Sequence, residues 1–328
     1  MSASIRIGIL GYGNLGRGVE SALQQNPDMQ LVGIFTRRDP AQLEPLFDAT
    51  QVFAMDDLES FKDKIDVLIL CGGSKDDLPV QGPQWAEHFN IVDSFDTHAR
   101  IPEYFKQVDG VARPNQHAAV IAVGWDPGLF SLNRMIAEAV LPVGQTDTFW
   151  GKGLSQGHSD AVRRVPGVKA AVQYTIPAED AMNLVRSGAR PQLESREKHR
   201  RECYVVLEEG ANQEEVKDTI VNMPNYFADF DTTVNFIDLE TLQREHQAMP
   251  HGGFVIRSAQ SERGSNQTYE FSLQLNSNPE FTSSVLVAYA RAAYRLHASK
   301  QFGAFTIYDI APALISPHSP EDLRARLL

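Results

Sequence analysis

Three glycines in the spacing Gly11-x-Gly13-x-x-Gly16 follow the apolar run Ile5–Leu10 and precede a helical pattern carrying Val19, Ala22 and Leu23. Strand, glycine turn and helix in that order suit a dinucleotide. The first glycine allows the turn, the second lets a pyrophosphate approach the backbone, the third packs helix on strand, and the helix start offers free amides. Tyr12, Asn14 and Leu15 fill the turn and are expected beside the nucleotide. The next apolar run, 31–35, ends in Phe35-Thr36-Arg37-Arg38. An NAD site usually puts a carboxylate there for the ribose 2′-hydroxyl, whereas two guanidiniums suit a 2′-phosphate. The expected cofactor is therefore NADP, with Thr36, Arg37 and Arg38 at its phosphate. At about 1.5–3 kcal/mol per charged hydrogen bond, two such bonds favour NADP by about two to four orders of magnitude. Asp39 lies one step too far and is expected to cap the next turn.

Three further strand ends carry candidate contacts. Cys71-Gly72-Gly73-Ser74 follows the run 66–70, Ser94-Phe95-Asp96 follows Asn90–Asp93, and Val123-Gly124-Trp125-Asp126-Pro127 closes the run 118–123. Loops at the carboxyl ends of parallel strands line the ligand crevice of such sheets. The Cys71 thiol itself reads as a small buried hydrophobe.

The elements that must position these residues alternate strand and helix along the first third of the chain, which predicts an α/β fold: a Rossmann-type doubly wound parallel sheet. Beyond about Thr146 the rhythm changes. Segments 148–151, 201–207, 233–237, 253–256 and 268–275 read as strands and 284–298 as a long helix, which predicts a mixed α+β substrate and dimerisation domain. The chain has 328 residues, enough for two domains. Its 42 acidic and 30 basic residues give a net charge of −12, a poor match to nucleic acid or anionic membrane. No apolar stretch approaches the roughly 20 residues of a membrane helix. The opening Met-Ser-Ala-Ser-Ile-Arg runs into a strand without a signal-peptide core, so a cytoplasmic protein is expected. Two distant cysteines, Cys71 and Cys203, form neither a disulfide framework nor a metal finger, and no metal is expected.

Farther motifs appear in order: Val123-Gly-Trp-Asp126-Pro-Gly128, Phe149-Trp-Gly151, Gly153-Leu-Ser-Gln-Gly-His-Ser-Asp160, Met249-Pro-His251-Gly-Gly253 and Asn278-Pro-Glu-Phe281. With Gly11-Tyr-Gly-Asn-Leu-Gly16 in front and Gly303-Ala-Phe-Thr306 behind, the chain resembles the meso-diaminopimelate dehydrogenase family. The resemblance implies NADP-dependent oxidative deamination of meso-2,6-diaminopimelate at its D-centre to L-2-amino-6-oxopimelate and ammonia, reversed in lysine biosynthesis. It also implies a homodimer. It puts Asp96 and Asp126 in contact with ligand, where a carboxylate can hold the reacting ammonium and take its proton. It puts Arg201 at the distal L-carboxylate, inside the basic run 196–201, with Arg200 the easy confusion. Thr175, His251 and Asn278 join Arg201, and Trp150, Gln156 and Gly157 complete the implied substrate set. Trp150 is expected to wall the alkyl chain. His158 is a third candidate for taking the amine proton, but it reads chiefly as a structural histidine in the Gly-His-Ser-Asp turn. Phe95 stands where the family often has Tyr, and Thr36 where Ser is common.

The expected division is a dinucleotide-binding domain of residues 1–124 and about 300–328, a dimerisation region of 125–155 and about 275–299, and a substrate domain of 156–274. Two other readings stay open. One is another two-domain NADP-dependent oxidoreductase, such as a dihydrodipicolinate reductase or a sugar oxidoreductase, although the Glu-Lys-Pro stretch common in the latter is absent. The other is a non-catalytic NADPH-binding sensor, which has no use for an amino-acid clamp.

Overall fold

The computed structural model describes residues 4–328, so Met1, Ser2 and Ala3 of the opening run lie outside the described residues. The chain packs as two units: residues up to 132 together with 279–328, and residues 133–278. The chain starts with β1 (Ile5–Leu10), α1 (Asn14–Leu23), β2 (Met29–Thr36), β3 (Val52–Ala54), β4 (Val67–Leu70), α2 (Leu78–Ala86), β5 (Asn90–Asp93), α3 (Ile101–Ala112), β6 (Ala118–Val120) and α4 (Leu129–Val140). Then come β7 (Gly144–Trp150), β8 (Gly153–Leu154), α5 (Gln156–Arg163), β9 (Val168–Pro177), α6 (Glu179–Arg186), α7 (Ser195–Lys198), β10 (His199–Leu207), α8 (Gln213–Val221), β11 (Asp231–Phe236), α9 (Leu239–Glu245), β12 (His251–Gln260) and β13 (Asn266–Leu275). The chain ends with α10 (Asn278–Ala298), β14 (Gly303–Phe305), α11 (Pro312–Ile315) and α12 (Pro320–Leu327).

The first unit holds a seven-stranded sheet in the order β14-β6-β5-β4-β1-β2-β3, and every pair in it is parallel. Parallel strands are covered on both faces, and successive side chains of β1 serve opposite faces. Ile7 and Ile9 pack with Val19 and Leu23 of α1 and with Leu286 and Ala290 of α10. Leu10, Leu68 and Leu70 pack with Trp85 of α2 and with Tyr104 and Val108 of α3. The strand order reverses between β1 and β4, the place where such sheets open a ligand crevice.

The returning α10 is tied down by two arginines one turn apart. Arg291, only 1% exposed, donates to Asp28 (2.6 and 2.8 Å), Asn26 Oδ1 (2.8 Å) and the Ile315 carbonyl (2.8 Å). Arg295 donates to the carbonyls of Ala313, Leu314 and Ser316.

The second unit combines two small sheets. In the order β11-β10-β9-β8, the first pair is parallel and the others antiparallel. Val162 of α5 and Ile220 of α8 pack there against Cys203, Val205 and the fully buried Phe227. The other sheet, β13-β12-β7, is antiparallel, and Val185 of α6 packs on Phe149 and Ile256. Strand β9 was not expected: its alternation breaks at Ala170-Ala171 and it closes on Pro177. Among the described residues no helix is long and apolar enough to cross a membrane.

Candidate active site

The glycine turn joins β1 to α1 as its spacing requires. Gly11 has φ +94°, and a Cβ on Gly16 would collide with the Gly11 carbonyl oxygen. A Cβ on Gly13 would meet nothing within 4 Å, and no side chain caps the start of α1. An open backbone facing uncapped helix amides is what a pyrophosphate needs. Asn14 is exposed and Leu15 half-buried, its carbonyl accepting from Ser283 Oγ (2.8 Å). Tyr12 turns inward instead. Its hydroxyl donates to the buried Glu20 and accepts from the Leu46 amide (2.9 Å), and burial pushes it up to about 12. Only the Tyr12 backbone therefore remains for a ligand.

At the end of β2, Thr36 is buried and its Oγ1 accepts from the Arg38 amide (3.1 Å). Arg38 donates to the Tyr12 carbonyl, which ties the two nucleotide-side turns together. Arg37 pairs with Asp77 (2.8 Å) while its side chain stays 63% exposed. Asp39 caps its turn, accepting from the Ala41 amide at 3.0 Å. In sequence no carboxylate follows Thr36 before Asp39; the one that reaches this strand end is Asp77, from the loop after β4.

The loops after β4 and β5 hold one another. Asp77 accepts from the Gly73 amide (2.7 Å), a Cβ on Gly72 would lie 2.6 Å from Gln81 Oε1, and Ser74 Oγ accepts from the Asp96 amide (2.9 Å). Cys71 donates its amide to the Leu10 carbonyl (2.7 Å), and burial pushes its thiol well above the ordinary range. Ser94 is half-buried. Phe95 is 1% exposed, and its ring packs, tilted, on Tyr104 at 4.3 Å within the core.

The residue under these loops is Asp93. It is fully buried and accepts from the Phe95 amide (2.9 Å), the Ala122 amide (3.0 Å) and the Tyr104 hydroxyl (2.7 Å). Burial pushes its carboxyl up, against those three bonds. Val123 and Gly124 are buried, Trp125 packs edge-on against Phe130 (5.2 Å), and the Asp126-Pro127 bond is cis. Asp96 is exposed and Asp126 half-buried.

In the second unit, Arg201 and Thr175 face each other across β10 and β9, and Arg201 Nη1 donates to Thr175 Oγ1. Strand alternation turns Arg201 inward with His199 and Cys203 and leaves Arg200 exposed. Arg201 is 9% exposed, its Nε has no partner, and no carboxylate among the described residues pairs with it. Burial pulls its guanidinium down to about 10. Burying a cation without an anion carries a desolvation cost.

Two imidazoles flank it. His158 accepts or donates at Ser155 Oγ (2.8 Å) and is held down to about 4 by burial and by Arg201. His199 accepts from the Trp150 amide (2.9 Å), stacks on the indole at 5.3 Å, and is held at about 4 by burial, Arg201 and Lys198. Both stay uncharged, so neither offers a second positive charge beside Arg201.

Trp150 ends β7 and is 39% exposed. Gln156 opens α5 and donates to Met249 Sδ (3.2 Å), with exposed Gly157 next to it. His251 is the first residue of β12 rather than a loop residue, and its Nδ1 accepts from the Gly252 amide at 2.9 Å. Asn278 opens α10, its amide donating to the Met249 carbonyl (3.0 Å).

Comparison with known proteins places this geometry. The model of the "Diaminopimelic acid dehydrogenase C-terminal domain" family matches residues 124–277, and that of the "NADP oxidoreductase coenzyme F420-dependent" family matches residues 6–76. The meso-diaminopimelate D-dehydrogenase of Ureibacillus thermosphaericus is 63% identical over 326 residues, covering 99% of this chain and 100% of the relative. The chain belongs to the meso-diaminopimelate D-dehydrogenase family.

Two solved structures extend the comparison. A sextuple variant of the family enzyme from Clostridium tetani E88, solved with DAP, is 51% identical with a TM-score of 0.93, covering 99% of this chain and 100% of that one. An engineered D-amino acid dehydrogenase bound to NADP+ is 44% identical with a TM-score of 0.85 over the same shares. The six residues replaced in the first are a Gln, a Thr, an Arg, a Pro, a His and an Asn. Gln156, Thr175, Arg201, Pro250, His251 and Asn278 follow in the same order and at the same intervals here.

Three residues that sequence reasoning passed over enter the geometry: Asp93 beneath the nucleotide loops, His199 beneath Trp150, and Phe230, whose ring lies 4.0 Å from Arg201 Cζ. Pro250 is a fourth, its carbonyl accepting from the Leu154 amide (2.8 Å).

Proposed function

We propose that this chain oxidises meso-2,6-diaminopimelate at its D-centre with NADP+, giving L-2-amino-6-oxopimelate, ammonia and NADPH, and runs the reductive amination in reverse. The carrying observation is Arg201: a buried guanidinium, flanked by neutral imidazoles and lacking a carboxylate, asks for a ligand anion. Family membership, a relative solved with DAP and one bound to NADP+ support the same reading.

The open turn at Gly13 and the uncapped start of α1 suit a pyrophosphate, and Thr36, Arg37 and Arg38 suit the 2′-phosphate. The backbones of 71–74, 94–96 and 123–127 line the nucleotide. When bound, the nicotinamide accepts the hydride. Hydride leaves the D-carbon only from the neutral amine, so the ammonium must first lose a proton. Asp96 and Asp126 hold that ammonium, and one of them, or a water it orders, takes the proton. Water then adds to the imine carbon and ammonia leaves. Arg201 and Thr175 bind the L-carboxylate. His251, Asn278, Gln156 and Gly157 complete that end, and Trp150 covers the alkyl chain. Fixing the substrate in one orientation supplies much of the rate.

The chain works as a homodimer built through residues 125–155 and 275–299, in the cytoplasm and as part of lysine biosynthesis. The deciding experiment follows NADPH formation by the purified chain with diaminopimelate stereoisomers. Reduction of NADP+ with the meso isomer and almost none with the L,L isomer is the expected result. No reduction with the meso isomer at micromolar enzyme overturns the reading.

A further inference from the structure

Arg201 is held by something other than an anion. The face of Phe230 lies against its guanidinium, 4.0 Å from Cζ to the ring centroid. Phe230 ends the turn before β11, and its position is set from below. Its amide donates to the Phe227 carbonyl (2.9 Å), the Phe227 ring is fully buried in the core under β10, and Thr232 Oγ1 reaches the carbonyls of Phe227 (3.5 Å) and Phe230 (3.4 Å).

The choice of a ring has a chemical consequence. A carboxylate in that place would neutralise Arg201 and occupy its N–H fork. An aromatic face attracts the cation through its quadrupole, carries no net charge and accepts no in-plane N–H bond. The fork edge therefore stays open: Nη1 is used by Thr175, and Nε has no partner.

We propose that Phe230 is a positioning and specificity residue, a neutral stand-in for a counter-ion that keeps the Arg201 guanidinium buried, oriented and uncompensated until a substrate carboxylate arrives. Substrates bearing a second carboxylate remote from the reacting amine are selected because only they supply the missing charge. The inference rests on the function proposed above.

The test compares Phe230→Leu and Phe230→Tyr with the wild-type enzyme in steady-state oxidation of meso-diaminopimelate by NADP+. Phe230→Leu keeps apolar bulk and loses the ring face. It is expected to raise KM for the amino acid about tenfold, with kcat and KM for NADP+ within about twofold of wild type. Phe230→Tyr keeps the face and is expected to match wild type in all three. An unchanged amino-acid KM in the Leu variant overturns the inference. So does a parallel loss of kcat and NADP+ affinity, which marks a merely structural role, or a Tyr variant as impaired as the Leu variant. Wild-type enzyme that fails to oxidise the substrate overturns the proposed function and this inference together, whereas wild-type turnover with an unaffected Leu variant overturns the inference alone.

Discussion

Arg37 and Asp77 form an ion pair at 2.8 Å, and the same carboxylate accepts the Gly73 amide at 2.7 Å. One acidic side chain thus links the end of β2 to the loop after β4. Arg37 is already partly compensated, and Arg38, bonded to the Tyr12 carbonyl, is the less neutralised of the two.

Replacing both Arg37 and Arg38 by Ala should lower the preference for NADP+ over NAD+ by about two orders of magnitude or more, and Arg38→Ala alone should account for most of the loss. The ratio of kcat/KM for the two cofactors measures it. An unchanged ratio removes the 2′-phosphate role.

Arg201→Met should raise KM for meso-diaminopimelate about a hundredfold while KM for NADP+ barely moves. The same change removes a buried cation that no carboxylate offsets, so it should cost the fold little stability. Urea denaturation beside steady-state kinetics reads both effects. Loss of affinity together with loss of stability would contradict the picture of an unfinished charge.

The two imidazoles make stability depend on pH. His158 and His199 titrate at about 4 in the folded chain against an ordinary 6.5, so between those values the unfolded chain binds more protons. Stability from these groups is therefore fully present above about 6.5 and is lost as the pH falls toward 4. Thermal melting midpoints across that window should fall, and His199→Gln, which keeps an acceptor for the Trp150 amide, should flatten the slope. A slope identical to wild type would show that His199 contributes nothing.

Asp93→Ala should destabilise the chain by about 2–4 kcal/mol, because two buried amides and the Tyr104 hydroxyl lose their acceptor at once. The loops carrying Phe95 and Val123 would loosen with it, so KM for NADP+ should rise. Asp93→Asn retains an acceptor oxygen and should recover much of both. Chemical denaturation and cofactor titration check the pair.

Sequence pattern revealed the parallel sheet because buried parallel strands are apolar and glycine turns are local. Helix α1 begins at Asn14, ahead of the apolar pattern that starts at Val19, since Gly16 and Gly18 weaken the helical signal while close packing needs them: a Cβ on Gly18 would crowd Ser283. Arg201 was separable from Arg200 only through the family motif, and strand alternation gives the physical reason. Pro250 before His251 and two glycines after it read as a loop in sequence, yet those glycines let β12 pass close to the carbonyls of Phe149 and Leu273. Asp93 and Phe230 left no signal. Asp93 reads as the last residue of an apolar strand, and the Phe230–Arg201 contact joins residues whose closeness only the folded sheet establishes.

The return of α10 and β14 to the first sheet bears on how the molecule is made. Strand β14 pairs with β6, and Arg291 binds Asp28 and Asn26 across almost the whole chain length. During synthesis the nucleotide half therefore waits, one sheet edge open and one helical layer incomplete, until the ribosome has delivered the entire intervening unit. A nascent chain stalled before α10 would expose Ile7, Ile9 and Val19 to water, and would be a client for chaperones rather than a half-finished enzyme.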